Sequence, residues 1–256
     1  MRVPWMTKEE IARRAEGLLT AYEAVIGHRV RPPVPVEDVI ERFLGLSLSY
    51  EDLDRKLGMD DVLGATYVDR KGISINERLL EDRNEGRMIF TCAHEVGHWI
   101  LHRHLVEAAA GLNRVREAIV CRAKNARAPM EWQADYFATC LLMPGKEMNK
   151  AFSLIFPAGR VVLENERSSL GGKAVCVDPC VENWHFIADI VREGGGFTNV
   201  SKEAMIFRLE ELGLVVNRTG AKLGWYPPPL TRLRRGMGGG GGPKALISGH
   251  AAPCPL

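Results

Sequence analysis

The stretch FTCAHEVGHWILH, Phe90 to His102, constrains this chain more than any other. Ile89, Ala93, Val96, Ile100 and Leu101 recur at helical spacing and predict a helix from about residue 87 to 103. Residues four apart share a helix face, so His94 and His98 direct two imidazoles at one point. Zinc accepts imidazole nitrogen at about 2.0–2.1 Å, and its catalytic sites use three protein ligands plus a water whose pKa falls to about 7. Glu95 sits directly after the first histidine, where H-E-x-x-H sites place their general base. The competing reading is an amphipathic helix whose histidines never meet an ion. A third ligand decides between the two. His102 is not that ligand: a rise of about 1.5 Å per residue sets it roughly 12 Å from His94 along the axis. It is expected as a packed or rim residue near the site.

A second stretch, EWQADYFATCLLMP, offers the missing donor. A helix is expected from near Met130, stopping before Pro144. Glu131 on it completes a two-histidine, one-glutamate set. Asp135, one turn on, is placed to accept a hydrogen bond from the free ring nitrogen of a ligand histidine, the usual way such rings are oriented. Read in isolation, these acids are an ordinary exposed pair at a helix start, where the macrodipole favours them.

The order of a hairpin, then FTCAHEVGHWILH, then EWQADYFATCLLMP resembles the ImmA/IrrE family of metallopeptidases, a zincin-like group with a gluzincin-type site. The resemblance covers about residues 10 to 145 and extends more loosely to 216. It implies His94 and His98 as zinc ligands, Glu95 as base and Glu131 as third ligand, with Asp135 where the family often has Asn or Asp. Many relatives carry a second Glu two residues before that position. Here it is Gln133, a poor zinc ligand, which leaves Glu131 as the donor. The implied cofactor is Zn2+, and a His/His/Glu set also admits Mn2+.

Around these motifs the chain reads as α+β. TKEE at Thr7–Glu10 is a capping box opening a helix over about residues 8–26. Pro35 suits the first turn of a second helix that Gly45 ends. LGLSLSY is strand-like, and DVLGATYVDRKGISIN reads as a hairpin with strands at Val62–Val68 and Ile73–Ile75. In zincin-like folds an edge strand at such a hairpin pairs with an extended peptide. Residues 107–125 are expected to be helical. Trp184 to Glu193, a triple-glycine break and a Ser201-capped helix ended by Gly213 resemble a helix-turn-helix. The expected organisation is a zincin-like domain at 1–150 with a small antiparallel-type sheet, a small helical module at 151–217, and a disordered tail at 218–256 rich in Gly and Pro.

Charge and cysteine content narrow the function. With 34 Lys+Arg against 32 Asp+Glu, the net charge of +2 does not suggest a general nucleic-acid binder. The Ser201–Leu212 helix carries one net negative charge, which disfavours direct DNA binding and favours packing or partner docking. The Arg232, Arg234 and Arg235 cluster is read as a solvated charge run. Six scattered cysteines in 256 residues indicate reduced thiols, and no signal peptide or membrane span is recognisable, so a cytoplasmic protein is expected. Cys176 and Cys180 have C-x3-C spacing with no evident fourth ligand and are read as loop thiols. Cys92 and Cys140 are read as small core residues.

The reading that follows is a zinc-dependent endopeptidase; the family resemblance implies a narrow, regulatory specificity, with a DNA-binding repressor or antitoxin-like protein as substrate. Its rivals are a non-proteolytic metal-binding transcriptional regulator and a repressor-binding module acting by contact alone. Peptide hydrolysis also needs an oxyanion donor, for which Tyr67 and Tyr136 are both candidates.

Overall fold

A computed structural model describes residues 3–81, 85–110, 118–122, 128–163, 168–170, 173–175 and 181–218. Residues 176–180, the arginine cluster and the expected tail from 219 onward lie outside the described residues.

The first helix, α1 (Lys8–Ile26), starts on the expected capping box. The Glu10 amide donates to Thr7 Oγ1 at 3.2 Å, and the Thr7 amide donates to Glu10 Oε2 at 2.8 Å. Ile11, Ala15, Leu18, Leu19 and Tyr22 form its buried stripe. Gly27 ends it at φ 76°, a left-handed conformation that costs a glycine little. A short α2 (Val36–Asp38) continues into a π-helical turn at Val39–Phe43.

Strands β1 (Ser47–Glu51), β2 (Val62–Tyr67), β3 (Gly72–Asn76) and β4 (Ala118–Arg122) form one sheet in the order β1-β3-β2-β4, with α3 (Leu53–Leu57) between β1 and β2 in sequence. β1 runs parallel to β3, while β2 is antiparallel to both β3 and β4. Two expectations change here. Residues 118–122 are a strand, where a helix was expected; Ile119 and Val120 are β-branched and pair with Thr66 and Ala65. The 62–75 hairpin also lies inside the sheet. Among the described residues the edges are β1 and β4, and the edge strand near the site is β4.

The helix predicted around HEVGH is longer than expected. As α4 it runs Glu85–Ala110 and lies against the sheet. Its main partner is α5 (Pro129–Leu142), which begins with proline in its first turn. Gly97 permits the crossing: a Cβ there would sit 3.1 Å from both Cα and the carbonyl oxygen of Ala134. The two backbones therefore nearly touch, which brings short carboxylate side chains of α5 within reach of α4.

Beyond α5 come α6 (Gly145–Ile155), β5 (Val161–Leu163), a hairpin of β6 (Ser168–Leu170) and β7 (Lys173–Val175), then α7 (Val181–Gly194), α8 (Lys202–Glu211) and β8 (Val215–Asn217). β5 pairs with β8 in parallel. Trp184, Ala188, Val191, Met205 and Leu209 of α7 and α8 join the same apolar core as Ile11 and Phe137. Arg208 ties α8 to the end of α5 by donating from Nε to the Met143 carbonyl at 3.1 Å. Among the described residues no helix is long and apolar enough to cross a membrane.

Candidate metal centre

α4 and α5 bury an unusual amount of polar chemistry against each other. His94, Glu95 and His98 are 0% exposed, Asp135 is 1% and Glu131 is 5%. Acids and imidazoles are removed from water only at substantial cost unless they are paired or hold a cation. The exposed acidic pair that sequence alone allows at the start of α5 is therefore absent.

The donor atoms converge. Glu131 Oε2 lies 3.3 Å from His94 Nε2, and Glu131 Oε1 lies 3.5 Å from His98 Nε2. The two Nε2 atoms are 2.9 Å apart. The ring tautomers follow from what each Nδ1 meets. His94 Nδ1 is 2.7 Å from Asp135 Oδ1, so Nδ1 carries the proton and donates it to the carboxylate. His98 Nδ1 faces His102 Nδ1 at 3.0 Å. That pair is resolved one residue further out. The Pro4 carbonyl can only accept, so the Gln133 amide nitrogen faces it at 2.9 Å and Gln133 Oε1 faces His102 Nε2 at 2.9 Å. His102 thus holds its proton on Nε2. Burial first, and His98 second, lower its pKa to about 3, so it is neutral and its Nδ1 is a bare acceptor. The shared proton belongs to His98 Nδ1.

Both inner Nε2 atoms point at each other beside the Glu131 carboxylate. Burial opposes charge on His94, but Cys121 and Asp135 raise its pKa well above the ordinary imidazole value, as for a ring set among acids. A divalent cation satisfies the converging donors, and their chemistry suits zinc. Glu131 Oε2 and Asp135 Oδ2 are buried without a hydrogen-bond partner, as expected of carboxylates set out for a cation. Burial opposes charge on Glu131, yet His98 and His94 hold its carboxyl well below the usual carboxylate range.

Glu95 points from α4 toward the sheet. Thr66 Oγ1 donates to its Oε2 at 2.6 Å, while Oε1 has no partner. Burial raises its pKa, with His98 and His94 opposing. Space for this side chain comes from Gly64, where a Cβ would lie 2.9 Å from Cγ and Cδ of Glu95 and closer still to Oε1. Sequence reasoning missed Thr66 and Gly64. The usable signal was strand alternation together with a glycine inside a strand, which often marks a close approach. Cys121 was missed as well: its sulfur, a His94 ring nitrogen and a Glu95 carboxylate oxygen lie within 4.8 Å of one another.

The oxyanion candidates are not brought to the centre. Tyr67 lies one residue from Thr66 on the opposite sheet face, clustered with Leu53, Val62 and Ala65 and covered by Arg70. Tyr136 stacks on Trp132, with Lys8 over its ring. A cleft of about 900 Å³ lies between α1, α5–α6 and α8 and includes none of the converging residues. Cys92 and Cys140 are core residues, as expected.

Two helical histidines, a glutamate from the next helix and a buried carboxylate beside them define a class: a metallopeptidase-like centre on an α+β scaffold. Residues 45–160 match the family model Peptidase_M78, the IrrE N-terminal-like domain. Over that span the chain carries a domain of the ImmA/IrrE type. The matched span runs from just before β1 to the end of α6 and contains every residue of the centre. No curated protein matches the chain.

Proposed function

We propose that this chain is a zinc-dependent endopeptidase with His94, His98 and Glu131 as metal ligands, Glu95 as general base and Asp135 orienting His94. The observation that carries the reading is the convergence of two buried Nε2 atoms, 2.9 Å apart, with the Glu131 carboxylate oxygens 3.3 and 3.5 Å from them. When bound, zinc supplies Lewis acidity, polarising a carbonyl and making water acidic enough to lose a proton near neutrality. Glu95 takes that proton and delivers it to the leaving amine. Burial raises its pKa above the ordinary carboxylate value, which makes it a stronger base than an exposed glutamate. Thr66 fixes one carboxylate oxygen and leaves the other free to exchange the proton.

An extended peptide would add to the open edge of β4, gaining backbone hydrogen bonds with little demand on its sequence. Specificity then comes from outside the cleft, and the substrate we favour is a DNA-binding repressor or antitoxin-like protein docked by α7 and α8. The basic side chains of those helices favour a protein partner over DNA. Lys202 pairs with Asp189 at 2.5 Å, and Arg208, buried, pairs with Glu211 at 2.7 Å. They are committed within the fold and are not arrayed for phosphates.

The test mixes the zinc-loaded chain with DNA-binding repressor proteins from its own genome, starting with any encoded in a neighbouring gene, and follows cleavage by wild type, Glu95→Gln and Glu131→Ala. Cleavage by wild type alone is expected. Equal cleavage by the Glu95→Gln protein would remove the proposed base.

A further inference from the structure

Cys121 is the one soft donor at the centre, and the proposed chemistry does not use it. It lies on the edge strand β4, opposite Gly64 and on the same sheet face as Thr66, fully buried. Its sulfur is within 4.8 Å of donor atoms of both His94 and Glu95. A further observation points to a ligand at this spot: Glu95 Oε1, in the same group of donor atoms, is fully buried without a hydrogen-bond partner. Around a tetrahedral zinc, with Zn–S near 2.3 Å and Zn–N near 2.0 Å, sulfur and nitrogen sit roughly 3.5 Å apart. Cys121 groups with His94 and Glu95 but not with His98 and Glu131, so sharing their ion takes a movement of the β4 sulfur toward those two side chains.

We propose that Cys121 is a fourth ligand that closes the metal centre into a latent, water-free state. The inference rests on the metal reading above. Three protein ligands leave a coordination position open for water, whereas four make the closed arrangement of a structural site. On loading, the S–H bond breaks, a sulfur–metal bond forms and the proton leaves to solvent, as for any cysteine ligand. On opening, water takes the position and the sulfur takes back a proton; no oxidant or reductant is involved. β4 suits this role because, among the described residues, it pairs with β2 and no second strand. A peptide adding to its free edge acts on the strand that carries the sulfur, so substrate binding and release of the fourth ligand are coupled. Glu95 also gains a meaning here: it is idle while the thiolate is bound and is needed once water replaces it.

The experiment replaces zinc with cobalt in the full chain and records its absorption spectrum. A thiolate ligand adds a sulfur-to-cobalt charge-transfer band in the near ultraviolet, separate from the visible d–d bands of any tetrahedral site. Wild type is expected to show both. Cys121→Ser and Cys121→Ala should lose the charge-transfer band and keep the d–d bands, and His98→Ala should lose both. If wild type shows d–d bands without the charge-transfer band, or keeps that band in both Cys121 variants, the proposal is overturned and the three-ligand site survives. If wild type takes up no cobalt, the metal reading itself falls, and this proposal with it.

Discussion

The two edges of the four-stranded sheet are built on different chemistry. β1 is defended by charge: Glu51 accepts hydrogen bonds from Ser49 at 2.8 Å and Ser74 at 2.7 Å and pairs with Lys56. Charged side chains at an exposed edge discourage a further strand from pairing there. β4, Ala-Ile-Val-Cys-Arg, has no acid and no such network among the described residues. Its inward residues Ile119 and Cys121 lie across from Thr66 and Gly64, the two positions that frame Glu95. One edge carries a charged network and is remote from the chemistry, while the other adjoins it and shows no such network among the described residues. A sheet that must avoid aggregation yet bind extended chains can do both by treating its edges separately.

Matched glycines make the comparison testable. Gly64 of β2 lies beside β4, and Gly72 of β3 lies beside β1. The largest effect is expected from Gly64→Ala. The new methyl would collide with Glu95, which is fully buried and held by Thr66 and so has nowhere to swing. Loss of a positioned general base costs roughly 10²–10⁴-fold, and hydrolysis should fall by that much. Zinc uptake should persist, because His94, His98 and Glu131 are not touched by the new atom. Equilibrium dialysis beside a cleavage assay separates the two, and loss of zinc together with activity would mean the sheet had moved as a whole.

Thr66→Val comes next. It removes the hydrogen bond to Glu95 Oε2 while nearly preserving shape. Hydrogen bonds to charged groups are worth about 1.5–3 kcal/mol, so hydrolysis should drop roughly ten- to hundredfold. The acid limb of the pH–rate profile should move to higher pH, since the lost bond is one that lowers the Glu95 pKa. An unchanged limb would argue against Glu95 as the titrating base.

These two residues also show what was legible in the sequence and what was not. His94, Glu95 and His98 could be found because a helix converts spacing into direction, and Glu131 and Asp135 because a second helix repeats that logic. The capping box at Thr7 and the Ser201 cap were local, and both formed as expected. The relay His98–His102–Gln133–Pro4 was not legible. It joins residues up to 129 positions apart through a helix crossing that depends on the missing side chain of Gly97. β4 was misread because its neighbour in space is β2, more than 50 residues earlier, and strand identity depends on that pairing more than on local propensity.

A smaller effect is expected at the defended edge. In the fold Glu51 is held down to about 2 from 4.5, chiefly by its bond to Lys56 and then by Ser74. A carboxyl whose folded pKa is depressed adds stability that is complete above its unfolded value. That stability is lost as pH falls through the folded one. The wild-type melting temperature should therefore decline between about pH 4.5 and pH 2 partly through this group. Glu51→Gln should cost about 1 kcal/mol at neutral pH, because the site is partly exposed and screened. It should flatten the acid decline and leave hydrolysis per folded molecule unchanged. A loss of hydrolysis would mean that the β1 edge contributes to substrate binding.

The smallest effect is expected from Gly72→Ala, the mirror of the largest. Its methyl would meet Ser47 Oγ at 2.6 Å, a clash on paper as severe as others that cost activity. The obstacle differs in kind: Ser47 is exposed and its hydroxyl can rotate into solvent, whereas Glu95 is enclosed. Alanine also removes backbone freedom from the unfolded chain, worth about 0.4–1 kcal/mol in its favour at a compatible position. The net change in stability should lie within about 0.5 kcal/mol, with hydrolysis intact. If Gly72→Ala and Gly64→Ala instead impair hydrolysis alike, activity depends on the sheet as a unit. The assignment of separate roles to its edges would then fail, whatever metal the centre holds.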